Sequence, residues 1–284
     1  MRIFEICGRT ETGPVRQANE DHILLGRFIK NSGRMSMEIA ADDDFLTVYG
    51  MLFAIADGVG GEAGGALASR LALNALDTQF YGTEKGAEPI GKSREVLRAA
   101  GDRANQTLLA VQATRTELAR MGCTLAGVCL AGGPSRGQWL FFKAGDSRVY
   151  RFRDGFLSQV TRDDTITALA VDLGAMTAEK AKKSAKHHII TNCAGSATFE
   201  LEIDAGRELR DGDVLLICSD GLHDLVPIER MEKLLAPGRD VRAMADSLVA
   251  EAVANGGRDN ISVILIRCGG DAAPPPNLEE SQSV

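Results

Sequence analysis

Apolar runs of strand length recur along the chain at Met51–Ala56, Leu125–Leu130, Trp139–Ala144, Arg148–Phe152, Val214–Cys218 and Ile261–Ile266, and half of them run straight into Gly, Asp or Ser. Runs of this length bounded by turn residues predict strands buried within a sheet. Between them the period changes to that of a helix. Leu67, Leu71 and Ala75 fall on one face, as do Leu97, Ala100, Ala104, Leu108 and Val111, and later Val241, Ala245, Leu248 and Ala252. Many strands with helices in two separate groups predict an α+β fold of stacked sheets covered by helices.

The stretch 163–202 breaks this rhythm. Its Ala/Lys-rich centre, AEKAKKSAKHH, reads as a surface helix within a long insertion, either a flap beside a site or a merely solvated helix. After Arg267 the composition collapses to GGDAAPPPNLEESQSV, the mark of a disordered tail over 269–284 that leaves one domain over 1–268. With 284 residues and 44% hydrophobic content, one large core is expected.

Charge and cysteine usage narrow the classes of function. A formal net charge of -7 excludes a phosphate backbone or an acidic membrane as the main partner, since both need a basic footprint. The six cysteines form no CxxC pair and several lie within apolar runs, so buried thiols in a reducing compartment are expected rather than zinc or disulfides. No apolar run approaches the roughly 20 residues that span a bilayer. The start, MRIFEICGRTETG, lacks the blocks of a signal peptide, so a soluble, cytoplasmic protein is expected, monomeric and without nucleic-acid or membrane partners.

Three segments share one form, an apolar strand running into an acid: FAIADGVGG carries Asp57, LLICSDGL carries Asp220 and FFKAGDSRVY carries Asp146. Asp259 stands just before a strand in GGRDNISVILI, and Glu20 and Asp21 follow Arg16 in RQANEDH. Carboxylates converging from rigid strand ends repel one another unless protonated or bound to a hard divalent cation. Each piece also has a plainer reading. Asp-Gly after a strand is a common turn signal at Asp57, Asp154, Asp211 and Asp220, Asp146 can cap a hairpin, and Arg16 alone is an ordinary surface arginine. GGEAGGA can be read as a phosphate-cradling loop, although it matches neither GxxxxGK[ST] nor a clean GxGxxG.

RQANED, ADGVGG, RMGCTLAGV, AGDSRVY, LLICSDGL and GGRDNISV, in that order from about Gly13 to Ile266, resemble the type 2C metal-dependent protein phosphatases, the PPM family, and more closely its bacterial branch. The resemblance implies a four-layer α-β-β-α sandwich, two stacked and mainly antiparallel sheets flanked by helices. It implies hydrolysis of phosphoserine and phosphothreonine on proteins by a water activated between two Mn²⁺ or Mg²⁺ ions, reversing a separate kinase. Asp57 would bridge the two metals, with the Gly58 carbonyl on one and Asp220 and Asp259 on the other. Glu20 and Asp21 would hold waters in an outer shell, Arg16 would clamp the phosphate, and Asp146 would bind a third, weaker ion together with Asp220. Two positions depart from the family. Val59 stands where eukaryotic members carry a histidine acid, which shifts that role to a metal-held water, and Asp163-Asp164 stands where bacterial members commonly have Asp-His. A catalytically silent phosphoprotein-binding relative and a small-molecule phosphatase are the alternatives.

Overall fold

The central strands of this chain are apolar on both faces, so each sheet needs a cover on either side, and the architecture follows from that need. In the computed structural model, which describes residues 2–60, 64–82, 90–131, 137–182, 184–186 and 188–269, the chain opens with β1 (Ile3–Glu11), β2 (His22–Leu25), β3 (Phe28–Lys30) and β4 (Gly33–Ala40). A short helix α1 (Asp44–Tyr49) leads to β5 (Met51–Ala56) and β6 (Gly58–Val59), followed by the long helices α2 (Gly64–Tyr81) and α3 (Ile90–Thr114). Next come β7 (Gly122–Cys123), β8 (Leu125–Leu130), β9 (Trp139–Ala144), β10 (Arg148–Arg153) and β11 (Phe156–Gln159). The insertion carries α4 (Ile166–Asp172) and α5 (Ala178–Lys182). It is followed by β12 (Glu202–Ala205), β13 (Val214–Cys218), α6 (Asp220–His223), α7 (Ile228–Leu234), α8 (Val241–Ala254) and β14 (Ile261–Gly269).

Among the described residues two six-stranded antiparallel sheets form, ordered β11-β10-β13-β14-β1-β4 and β12-β9-β8-β5-β2-β3, with a small β6-β7 ribbon. Alternation within single strands sorts side chains into three buried layers. In β5, Phe53 and Ile55 face the other sheet, meeting Ile217, Ile264 and Ile266, while Leu52, Ala54 and Ala56 face α2 and α3. In β13, Leu216 and Cys218 meet Leu248 and Ala252 of α8. This is the expected α-β-β-α sandwich. A strand with both neighbours apolar reads as an unbroken run, which is why these strands stand out in the sequence.

Two expectations need adjustment. The fully buried stripe of α2 is Ala68, Ala72, Leu76 and Phe80, one position on from Leu67, Leu71 and Ala75, which pack only partly against that layer. The Ala/Lys-rich segment forms just the five-residue α5, too short to be stable without packing. Lys183 and His187 of that segment, Gly61 to Ala63 of GGEAGGA and the tail from 270 onward lie outside the described residues.

Candidate metal centre

Antiparallel register decides where the acids meet. His22 pairs with Ala56 and Ile55 with Ala126, so the start of β2, the end of β5 and the start of β8 share one rim of the sandwich. Leu125 pairs with Ala144, placing the end of β9 there too. In the facing sheet Arg148 pairs with Cys218, Cys218 with Val263 and Glu11 with Ile261. Glu20, Asp21, Asp57, Asp146, Asp220 and Asp259 each lie within a few residues of one of these ends. The rim is therefore rich in carboxylates.

Close packing of backbone holds them. A Cβ on Gly58 would come within 2.3 Å of the Gly65 carbonyl oxygen of α2, and a Cβ on Gly221 within 2.0 Å of the Asn260 carbonyl oxygen. Any side chain at either position would force the acid-bearing corners apart. The Asp57 amide donates to Thr124 Oγ1 at 3.2 Å, and its carbonyl accepts from the Thr124 amide at 2.8 Å. Thr124 Oγ1 in turn lies 2.7 Å from Ser147 Oγ, beside Asp146. Asp21 is fully buried, and its Oδ2 accepts from Ser219 Oγ at 2.9 Å and Ser262 Oγ at 2.7 Å, next to Asp220 and on β14. Asn260 Oδ1 accepts from the Glu20 amide at 2.8 Å. Thr124, Ser219, Ser262 and Asn260 were not singled out from the sequence; Ser219, Asn260 and Ser262 lie within three residues of an acid in CSDG and DNIS, whereas CTLAG, which holds Thr124, contains no acid at all.

The electrostatics are those of crowded, desolvated anions. Burial pushes the Asp57 carboxyl well above the usual range, and the charges of Asp21, Asp220, Asp146 and Asp259 push it further. Asp220 is raised for the same reasons, burial first and then Asp146 and Asp259. Burial also raises Asp146, and it raises Asp21 to about 6 against its two serine donors. Among the described residues no three His, Cys, Asp or Glu side chains close into a ready-made cage. The donor set is nevertheless oxygen-only, and Asp21 Oδ1 and Asp220 Oδ1 are buried with no hydrogen-bond partner. Leaving such an oxygen unsatisfied costs about 1–3 kcal/mol, more for a charged group. A hard divalent ion fits this need and keeps several waters, so it does not require a closed protein cage.

Arg16 reaches the same rim, its Nη2 donating to Asp259 Oδ2 at 2.6 Å while half of its side chain stays exposed. At the β9–β10 corner the Gly145 amide is capped by Asp164 Oδ2 at 3.0 Å and the Val149 amide by Thr161 Oγ1 at 3.0 Å. Asp146 is thus not the residue that caps those two amides. Its carbonyl accepts from, or lies opposite, His223 Nε2 at 3.1 Å. Asp163 takes the guanidinium of Arg148 with contacts of 2.6 to 3.1 Å, fixing the start of the insertion to β10.

Comparison with known proteins agrees with this fold. The family model described as Protein phosphatase 2C matches residues 35–254. The chain is 32% identical over 264 residues to the serine/threonine protein phosphatase PstP of Mycobacterium tuberculosis, covering 93% of this chain but only 45% of the relative. It is 28% identical over 262 residues to the serine/threonine phosphatase stp of Listeria monocytogenes, covering 91% of this chain and 93% of that one. The catalytic domain of PstP in complex with two manganese ions superposes with a TM-score of 0.73 at 30% identity, covering 95% of this chain and all of that domain. The chain belongs to the protein phosphatase 2C family.

Proposed function

We propose that this chain is a metal-dependent serine/threonine protein phosphatase whose reaction runs at the acidic rim. The observation that carries the reading is the register: five separate segments deliver carboxylates to one edge, where Asp21 and Asp220 keep buried oxygens without donors. Asp57, the Gly58 carbonyl, Asp220 and Asp259 would hold two Mn²⁺ or Mg²⁺ ions, with Glu20 and Asp21 as outer-shell acids and Asp146 beside Asp220 for a third. Bound there, divalent ions supply a Lewis acid for phosphoryl oxygens and a water acidic enough to act as nucleophile near neutral pH.

The chain's own groups do the rest. A bound cation would offset both the burial and the mutual repulsion that raise Asp57 and Asp220, so both would be ionised in the working site. Arg16 would exchange its contact with Asp259 for the phosphate, where a planar guanidinium can donate two parallel hydrogen bonds. Its charge helps before and during transfer, so it acts on both binding and turnover. Val59, at the end of the β6 ribbon, has no proton to give, and no cysteine takes part; Cys123 and Cys218 are buried with thiols pushed well up by that burial. Phosphoproteins made by a separate serine/threonine kinase would be the substrates.

The test is release of inorganic phosphate from phosphoserine and phosphothreonine peptides, with Mn²⁺ or Mg²⁺ and with excess chelator, beside a panel of small phosphate esters. Turnover of the peptides that needs added metal supports the reading. Full activity in chelator removes the metal mechanism. Hydrolysis of a small ester far ahead of every peptide makes the chain a metabolite phosphatase, and binding of phosphopeptide without turnover makes it a silent relative.

A further inference from the structure

Asp164 stands where the insertion leaves the sandwich. Its Oδ2 accepts from the Gly145 amide at 3.0 Å and from Asn192 Nδ2 at 2.9 Å, and its Oδ1 takes the ammonium of Lys143. Its own backbone continues the pattern, the amide donating to the Gly145 carbonyl at 2.9 Å and the carbonyl accepting from the Thr191 amide at 2.8 Å. One residue therefore joins three pieces of chain: the corner that carries Asp146, the first residues of the insertion, and its return at 191–192. Lys143, on β9, is nearly enclosed, 3% exposed, and also meets Glu202 at 3.0 Å. An ion pair drawn so far out of water loses much of its Coulomb gain to desolvation, so its main effect is to specify geometry.

The corner itself has little room to pivot. Gly145 has φ +111, and a Cβ there would meet the Thr124 side chain at 2.7 Å. Thr124 is the residue whose hydroxyl receives the Asp57 amide. Gly145 is thus wedged between Thr124 on one side and Asp164 on the other, with Asp146 the next residue along.

We propose that Asp164 is a positioning residue for the reaction, fixing the Gly145–Asp146 corner to both ends of the insertion so that the aim of the Asp146 carboxylate and the seating of the insertion are set together. The inference rests on the phosphatase reading above. The insertion is then part of the catalytic scaffold and not only a cover over it. Where bacterial relatives commonly carry histidine, this chain uses a carboxylate whose one oxygen serves two amide donors and whose other oxygen meets a lysine.

The experiment compares Asp164→Ala, Asp146→Asn and the double variant in phosphopeptide turnover at saturating Mn²⁺, with amide hydrogen exchange followed at Gly145 and Thr191. Asp164→Ala should lower kcat about 10–100-fold, the range for groups that support metal-site ligands. The double variant should be no slower than the worse single variant, because both changes act through one carboxylate. Protection at Gly145 and Thr191 should fall together. Asp164→Asn, which keeps an acceptor for the Gly145 amide, should restore most of the rate. Losses that multiply in the double variant overturn the proposal, as does unchanged exchange at Gly145 in Asp164→Ala. The exchange measurement needs no phosphatase activity, so failure of the functional reading and failure of the coupling are separable. If Asp164→Ala does not fold, Asn192→Ala removes one strut only and must raise exchange at Gly145; no change there overturns the proposal equally.

Discussion

The same dipeptide does opposite jobs at the two ends of the sandwich. At the end away from the acids, Asp154 and Gly155 turn β10 into β11 with φ of 52 and 86 degrees, and Gly212, φ 89, precedes β13. Around Gly155 and Gly212 a Cβ would meet nothing within 4 Å. These glycines are needed for their backbone conformation. At the acidic rim, Gly58 and Gly221 have no left-handed φ, yet a Cβ would strike backbone oxygen at 2.3 and 2.0 Å. Here the missing side chain is what counts, because it lets α2 and the 259–261 segment close on the acid-bearing corners. Asp-Gly thus marks a turn in one region and a close-packed carboxylate mount in the other.

Four changes would break or sharpen that contrast. The largest effect is expected for Asp57→Asn, which keeps shape but removes the central charge of the rim. It should cost about 3–5 kcal/mol of transition-state stabilisation, several orders of magnitude in kcat/KM on a phosphopeptide. A folded variant with near-normal turnover would return Asp57-Gly58 to the status of an ordinary corner.

Gly221→Ala comes next. Its methyl would sit against rigid backbone at Asn260, so unfolding in urea should show a loss of about 3 kcal/mol together with weaker Mn²⁺ binding. A stability loss with unaltered metal affinity would separate packing from mounting. Mn²⁺ itself should stabilise the folded protein by about 2.7 kcal/mol at one hundred times its dissociation constant, read as a rise in Tm that chelator reverses. Amide protection gained on metal binding should concentrate near Asp220 and be absent near Gly155. Gly155→Ala should have the smallest effect, about 1 kcal/mol from forcing alanine into the left-handed region, with kcat per folded molecule unchanged. A change in kcat there would mean that the far hairpin communicates with the rim.

The same contrast explains what could be read from the chain. β5, β8, β9 and β13 were visible because both of their faces are buried and the runs are uninterrupted. β1 and β4 were not, since IFEICGRTE mixes charges into a half-covered strand and GRMSMEIA lies at a sheet edge open to water. Asp57, Asp146 and Asp220 could be picked out because each ends an apolar run, and Glu20, Asp21 and Asp259 through the motifs RQANED and GGRDNISV that hold them. Their supports could not: Ser219, Ser262 and Thr124 are small polar residues whose meaning depends on partners some 20 to 240 positions away, such as Asp21 and Ser147. The linkage through Asp164 is equally invisible until β9 and the insertion are folded together.

The pairing of β1 with β14 bears on how such a domain comes into being during synthesis. Ile3 lies opposite Gly269 and Glu11 opposite Ile261, so the first strand of this domain waits beside an open slot for its last. β14 then becomes an interior strand between β13 and β1, and it arrives immediately behind Asp259. A growing chain on the ribosome holds Asp57 long before that strand emerges, but lacks the central member of one sheet and one of the rim's acids. Pairing across nearly the whole sequence is slow to form, and it leaves β1 and β13 edges exposed until it does. The arrival of Asp259 at the rim and the completion of the sheet therefore fall in one late event.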